Sequence, residues 1–193
     1  MQDAGTKHFT LQAYQSESQG SNFVVQGFLT YQAPWLAVRF TVHGAVTDLV
    51  LPHELQSPER QDGLWEHTCF ELFCAPMHSV RYWEINVSPG GNWNTYRFDD
   101  YRQGMCVEPL LQVAQVSSAY QSGDTFTIGF QMDMTRLRLG HAWTQGILEC
   151  SPCCILLDRT PRKSYWALHH RPPRPDFHCR SNFTLGLPLI EGD

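Results

Sequence analysis

Apolar and polar residues alternate in short runs along this chain. In Tyr82-Trp83-Glu84-Ile85-Asn86-Val87-Ser88 the alternation sets Tyr82, Glu84, Asn86 and Ser88 on one face and Trp83, Ile85 and Val87 on the other, the two-residue period of a pleated strand. Runs rich in Val, Phe, Tyr, Trp and Thr, punctuated by Gly, Pro, Ser and Asp, predict strands over 23–31, 35–42, 64–74, 81–88, 93–98, 111–120, 125–133, 147–157, 164–168 and 182–187. Turn residues at 32–34, 88–92 and 121–124 predict hairpins. Long helical periodicity is missing; a single short helix is predicted at 134–139, capped by Asp133 or Thr135 and ended by Gly140. The pattern predicts a mainly β chain, an antiparallel β-sandwich or jelly roll with at most one or two short helices.

Length sharpens that picture to one domain over 1–193, with frayed ends at about 1–7 and 190–193. A net charge of -5 with scattered Lys and Arg lacks the basic stripe that nucleic acid requires. No apolar run approaches the roughly 20 residues of a membrane span, and residues 1–8 lack the apolar core of a leader, so a cytoplasmic protein is expected. Seven cysteines, an odd number in a chain of this size, fit free thiols in a reducing compartment. The segment 50–63 reads as a surface connection near a site, and Pro172, Pro173 and Pro175 predict that 171–178 wraps the surface in extended form.

Candidate chemistry concentrates in the central strands. Alternation over 64–74 puts Glu66 and Thr68 on one face, so Glu66 and Glu84 face a common cleft if their strands pair; two carboxylates there suit acid/base work, because proximity and burial split their pKa values. The competing reading makes them separate surface residues or partners of Arg39, Arg97 or Arg102. A saccharide site uses the same residue types, with Glu, Asp, Asn and Arg bonding hydroxyls and an aromatic face packing on the sugar ring. Trp65, Trp93 and Trp166 are candidate platforms or core residues. Asn86, Asn94 and Arg97 join the polar set, and the turn 99–105 carries Arg102, either over a ligand or in a structural network with Asp99, Asp100 or Glu84.

Cys150-Ser151-Pro152-Cys153-Cys154 has C-x-x-C spacing with His169, His170, His178 and Cys179 downstream, the raw material of a zinc site. A second knuckle is lacking and the segment runs on into an apolar strand, so no metal is expected. His169 falls at a strand end, placed either for iron ligation or proton transfer, or for structural hydrogen bonding.

The stretches Leu64–Phe73, Tyr82–Pro89, Trp93–Phe98 and Ser164–Leu168 together resemble the DOMON-like domain proteins, which are similar to family 9 carbohydrate-binding modules. The resemblance implies a β-sandwich that binds a sugar or haem, with Trp65 and Trp166 flanking the ligand and Glu66 nearby. Neither a signal peptide nor an attached catalytic domain is expected, a departure from an extracellular polysaccharide-binding module.

These readings converge on a soluble binding domain for a saccharide or similar small polar ligand, without cofactor, nucleic acid or membrane partner. Its expected ligand-binding set is Trp65, Glu66, Glu84, Asn86, Trp93, Asn94, Arg97, Arg102, Trp166 and His169. The rival readings are a haem module using His169 or Met105, a carbohydrate-active enzyme using Glu66 and Glu84, and a protein-binding scaffold.

Overall fold

The computed structural model describes residues 5–14, 23–52, 57–120, 123–140 and 146–189, excepting the side chains of 118–120 and 138–140. Its strands are β1 (Thr6–Ala13), β2 (Val24–Gln32), β3 (Trp35–His43), β4 (Cys69–Pro76), β5 (Tyr82–Val87), β6 (Trp93–Phe98) and β7 (Cys106–Val107). Then follow β8 (Val113–Tyr120), β9 (Thr125–Asp133), the helix α1 (Thr135–Gly140), β10 (Ile147–Leu157), β11 (Lys163–Ala167) and β12 (Leu185–Pro188). The fold is mainly antiparallel β, as the alternating pattern requires.

One layer runs β1-β2-β3-β9-β8 and the other β7-β6-β5-β4-β10, with β11 and β12 both on the free edge of β10. β1 joins the layers: Thr6 to Leu11 pair with β2, and Gln12 and Ala13 pair with β11. This strand was not expected, since only Phe9 and Leu11 mark its buried side and the chain start reads as polar. The hairpin expected at 121–124 begins outside the described residues, as do the ends 1–4 and 190–193.

The layers close on a core in which Phe40 of β3 meets Phe70 of β4 at 5.3 Å between ring centres. Phe9 packs edge-on against Phe40 at 5.3 Å, and its ring crosses β2 at Gly27. A Cβ on Gly27 would lie 2.6 Å from that ring and 1.9 Å from the Arg39 carbonyl oxygen, so the close approach requires glycine. Trp83, Ile85 and Val87 face this core, as their alternation predicts.

The predicted strand 64–74 divides. Leu64–Glu66 forms a 3-10 turn entered through Gly63 at φ 74°, and the strand starts only at Cys69. Residues 59–61 bond alongside Trp93 through Glu59 O and Gln61 N, and the Arg60 guanidinium donates to Asn94 Oδ1 at 2.8 Å and to the carbonyls of Glu108 and Leu111, each at 3.0 Å. The helix arises where expected, with Asp133 Oδ1 accepting from the Thr135 amide at 2.9 Å.

Candidate functional site

The outer face of the β4–β5–β6–β10 layer is where polar chemistry collects. Strand register sets Tyr96 of β6, Glu84 of β5 and Phe73 of β4 in one cross-strand row, and Asn94, Asn86, Glu71 and Cys153 in the next. A sheet face of this kind normally meets water. Here the turn after β6 and a strap over residues 171–183 cover it, and a second apolar cluster forms from Phe73, Tyr82, Phe98, Ile155, Phe177 and Phe183. Tyr82 and Phe98 stack at 4.8 Å, and the His178 ring sets its edge against Phe73 and Phe98 at 5.0 and 5.1 Å.

Polar bonds fasten the strap. Asp176 accepts from Arg102 Nη2 at 2.9 Å and from the Tyr101 hydroxyl at 2.7 Å. The Tyr82 hydroxyl accepts from the Arg102 amide at 3.1 Å and lies 2.8 Å from His178 Nδ1. Which of the two atoms donates depends on the imidazole tautomer; the other ring nitrogen, Nε2, lies 3.9 Å from Glu84 Oε2. Burial, and then the charge of Arg102, pull the pKa of His178 down to about 4. At neutral pH this contact is therefore between a neutral ring and a carboxyl group, not an ion pair.

Between strap, turn and sheet lies a cleft of about 380 Å³. Trp65, Phe98, Tyr165, Phe177 and Met105 supply its apolar walls, and Glu71, Glu84, Arg102 and His178 its polar groups. Glu71 is 2% exposed and Glu84 5%. Glu84 Oε1 accepts from Asn86 Nδ2 at 2.7 Å, and Glu71 Oε2 has Cys153 Sγ at 3.8 Å. Glu71 Oε1 and Asn86 Oδ1 are buried without a hydrogen-bond partner among the described residues. Burial pushes Glu84 up to about 7, against the Asn86 bond and the Arg102 charge that favour its anion. Glu71 is held well above the usual carboxylate range by burial and by Glu84.

Of the residues expected from sequence, Trp65, Glu84 and Arg102 line the cleft, as does Met105, and Asn86 lies beneath it, orienting Glu84. The others stand elsewhere. Glu66 is exposed at the end of its 3-10 turn, because that turn breaks the alternation assumed for 64–74. Trp93, 9% exposed, packs in the main core with Arg60 4.3 Å above its ring. Trp166, 4% exposed, also belongs to that core, its indole N–H donating to Ser164 Oγ at 2.9 Å. Arg97 pairs with Trp83 in register and so leaves on the core-facing side, its Nε 3.7 Å from Asp99. Asn94 shares the outer face but is consumed by Arg60, Asp62 and Tyr96. His169 is exposed and absent from the cleft wall.

Glu71, Phe73, Tyr165, Phe177 and His178 are cleft residues that sequence reasoning did not select. The parity signal was present: in Cys69-Phe70-Glu71-Leu72-Phe73, Glu71 alternates against an apolar pair just as Glu84 does in β5. The cysteines of 150–154 divide between faces, Cys150 and Cys154 inward and Cys153 outward. Among the described residues no three His, Cys, Asp or Glu side chains gather as a metal site, and no helix is long and apolar enough to cross a membrane.

No protein-family model matches the sequence, and no curated protein does. Solved structures do match in shape. A Bacteroides uniformis protein with a provisional carbohydrate-binding designation superposes with a TM-score of 0.64 at 12% identity, covering 94% of this chain and 85% of that one. A family 9 carbohydrate-binding module from Caldicellulosiruptor kristjanssonii, solved with cellotriose, gives a TM-score of 0.50 at 10% identity over 86% of this chain and 74% of its own. The fold resembles a family 9 carbohydrate-binding module. At such identity the likeness describes the path of the backbone, and the chemistry of the cleft rests on this chain's own residues.

Proposed function

We propose that this chain is a binding domain for a saccharide or similar small polar ligand, held in the cleft between Trp65 and the strap. The observation that carries the reading is the pair Glu71 and Glu84, buried yet opening on a cleft walled by aromatic rings. Carboxylates take hydrogen bonds from ligand hydroxyls, while aromatic faces cover the C–H surface of a sugar ring. Trp65 is one aromatic wall: its neighbour Leu64 is buried and anchors the turn, and its ring meets Tyr96 edge-on at 5.7 Å. Tyr165 and Phe177, in contact at 6.1 Å between ring centres, line the same cleft in place of Trp166. Asn86 fixes the Glu84 carboxyl, and binding in this form calls for no cofactor. The cellotriose-bound module of similar fold supports a saccharide ligand.

Calorimetric titration with a panel of mono- and oligosaccharides tests this reading. At least one member should bind, and Trp65→Ala should weaken it by about tenfold or more while the protein stays folded. A panel without any binder would overturn the proposal.

A further inference from the structure

Acceptors outnumber donors on the cleft floor, where the thiols of Cys69 and Cys153 are weak donors to Glu71. The buried atoms there without partners among the described residues, Glu71 Oε1 and Asn86 Oδ1, are both acceptors, and their residues are direct partners across β4 and β5. Glu84 Oε2 is a third acceptor, with His178 Nε2 no nearer than 3.9 Å. Unpaired acceptors at such depth are costly unless something donates to them.

The charged and titratable groups around them leave the acidity unanswered. β4 contributes Cys69, β5 Tyr82, β6 Tyr96 and β10 Cys153, all uncharged at neutral pH because burial raises each of their pKa values. The turn after β6 contributes Arg102, whose guanidinium is bonded to Asp176 of the strap. His178, also on the strap, is neutral. Burial favours a proton on Glu71, which relieves part of the deficit and which a donor brought by the ligand can replace.

We propose that the cleft selects a saccharide bearing a protonated amino group over the neutral sugar of the same shape, the ammonium being received by Glu71 and Glu84. This rests on the saccharide reading above and names its ligand class. An ammonium brings three N–H donors to a floor that offers acceptors, where a hydroxyl brings one. It also brings a positive charge against which both buried carboxyl groups can ionise. The aromatic walls add to this, since ring faces attract a desolvated cation.

The test is calorimetry at pH 6.5 and low salt with glucosamine, galactosamine and mannosamine, each beside its neutral parent and its N-acetyl form. At least one amine should bind about tenfold or more tightly than both uncharged counterparts, and Glu84→Gln should bring the three within about threefold. Parents that bind as well as their amines would overturn the selectivity and leave saccharide binding standing; no binding by any sugar would remove both. Should Glu84→Gln fail to fold, the ranking in the unmodified protein decides alone.

Discussion

His178 Nε2 lies 3.9 Å from Glu84 Oε2, although the histidine comes from the strap and the glutamate from a central strand. The pair brings two perturbed groups of opposite sense into one contact. Burial raises Glu84 to about 7 and lowers His178 to about 4.

Their contributions to stability run in opposite directions with pH. A carboxyl whose folded pKa is raised keeps its proton longer in the native state, so Glu84 lowers stability as pH climbs from about 4.5 to about 7, and Glu71 extends that loss upward. A histidine whose folded pKa is lowered costs stability as pH falls from about 6.5 to about 4, where only the unfolded chain takes up the proton. The two offset each other in the unmodified protein. Urea denaturation across pH should show Glu84→Gln gaining stability from pH 4 to 6.5 and His178→Gln losing it from 4.5 to 7. Parallel profiles for both variants would contradict the arrangement.

Trp65 and Trp166 should separate binding from folding. Trp166→Ala empties a core position and should cost about 3–5 kcal/mol, read as a fall in the urea midpoint. Trp65→Ala, at the cleft rim, should cost no more than about 1–2 kcal/mol while weakening ligand binding. Equal destabilisation by both would show that Trp65 belongs to the core.

Asp176 ties the strap to the turn after β6. Asp176→Ala removes acceptors for Arg102 and Tyr101 and should cost about 1 kcal/mol, because the bonds are charge-assisted but Arg102 is nearly half exposed to screening solvent. Hydrogen exchange should rise in 171–178 and 99–103 and stay unchanged in β2 and β3. Uniform acceleration across the chain would instead mean global destabilisation.

Gly27→Ala checks the close passage of Phe9 over β2. The added methyl meets the Arg39 carbonyl and the Phe9 ring, so β1 must move, and a loss above about 2 kcal/mol is expected by thermal or urea denaturation. A neutral effect would mean that β1 does not cross there.

Local order in this protein is written into the alternation of its own residues. Its period of two placed Trp83, Ile85 and Val87 in the core and Glu84 and Asn86 on the other face, because alternation is a property of a single strand. It also established a mainly antiparallel β fold and the short helix after Asp133. Membership of the cleft follows instead from how distant segments pack. A 3-10 turn at Leu64–Glu66 interrupted the expected strand and left Glu66 in solvent, register brought Glu71 beside Asn86, and parity sent Arg97, Trp93 and Trp166 inward. His178 and Phe177 arrive from a strap whose docking depends on Asp176 and Tyr82, contacts some seventy to a hundred residues apart in the chain. Such contacts have no local periodicity, so residue type and spacing carry no trace of them until the layers have closed.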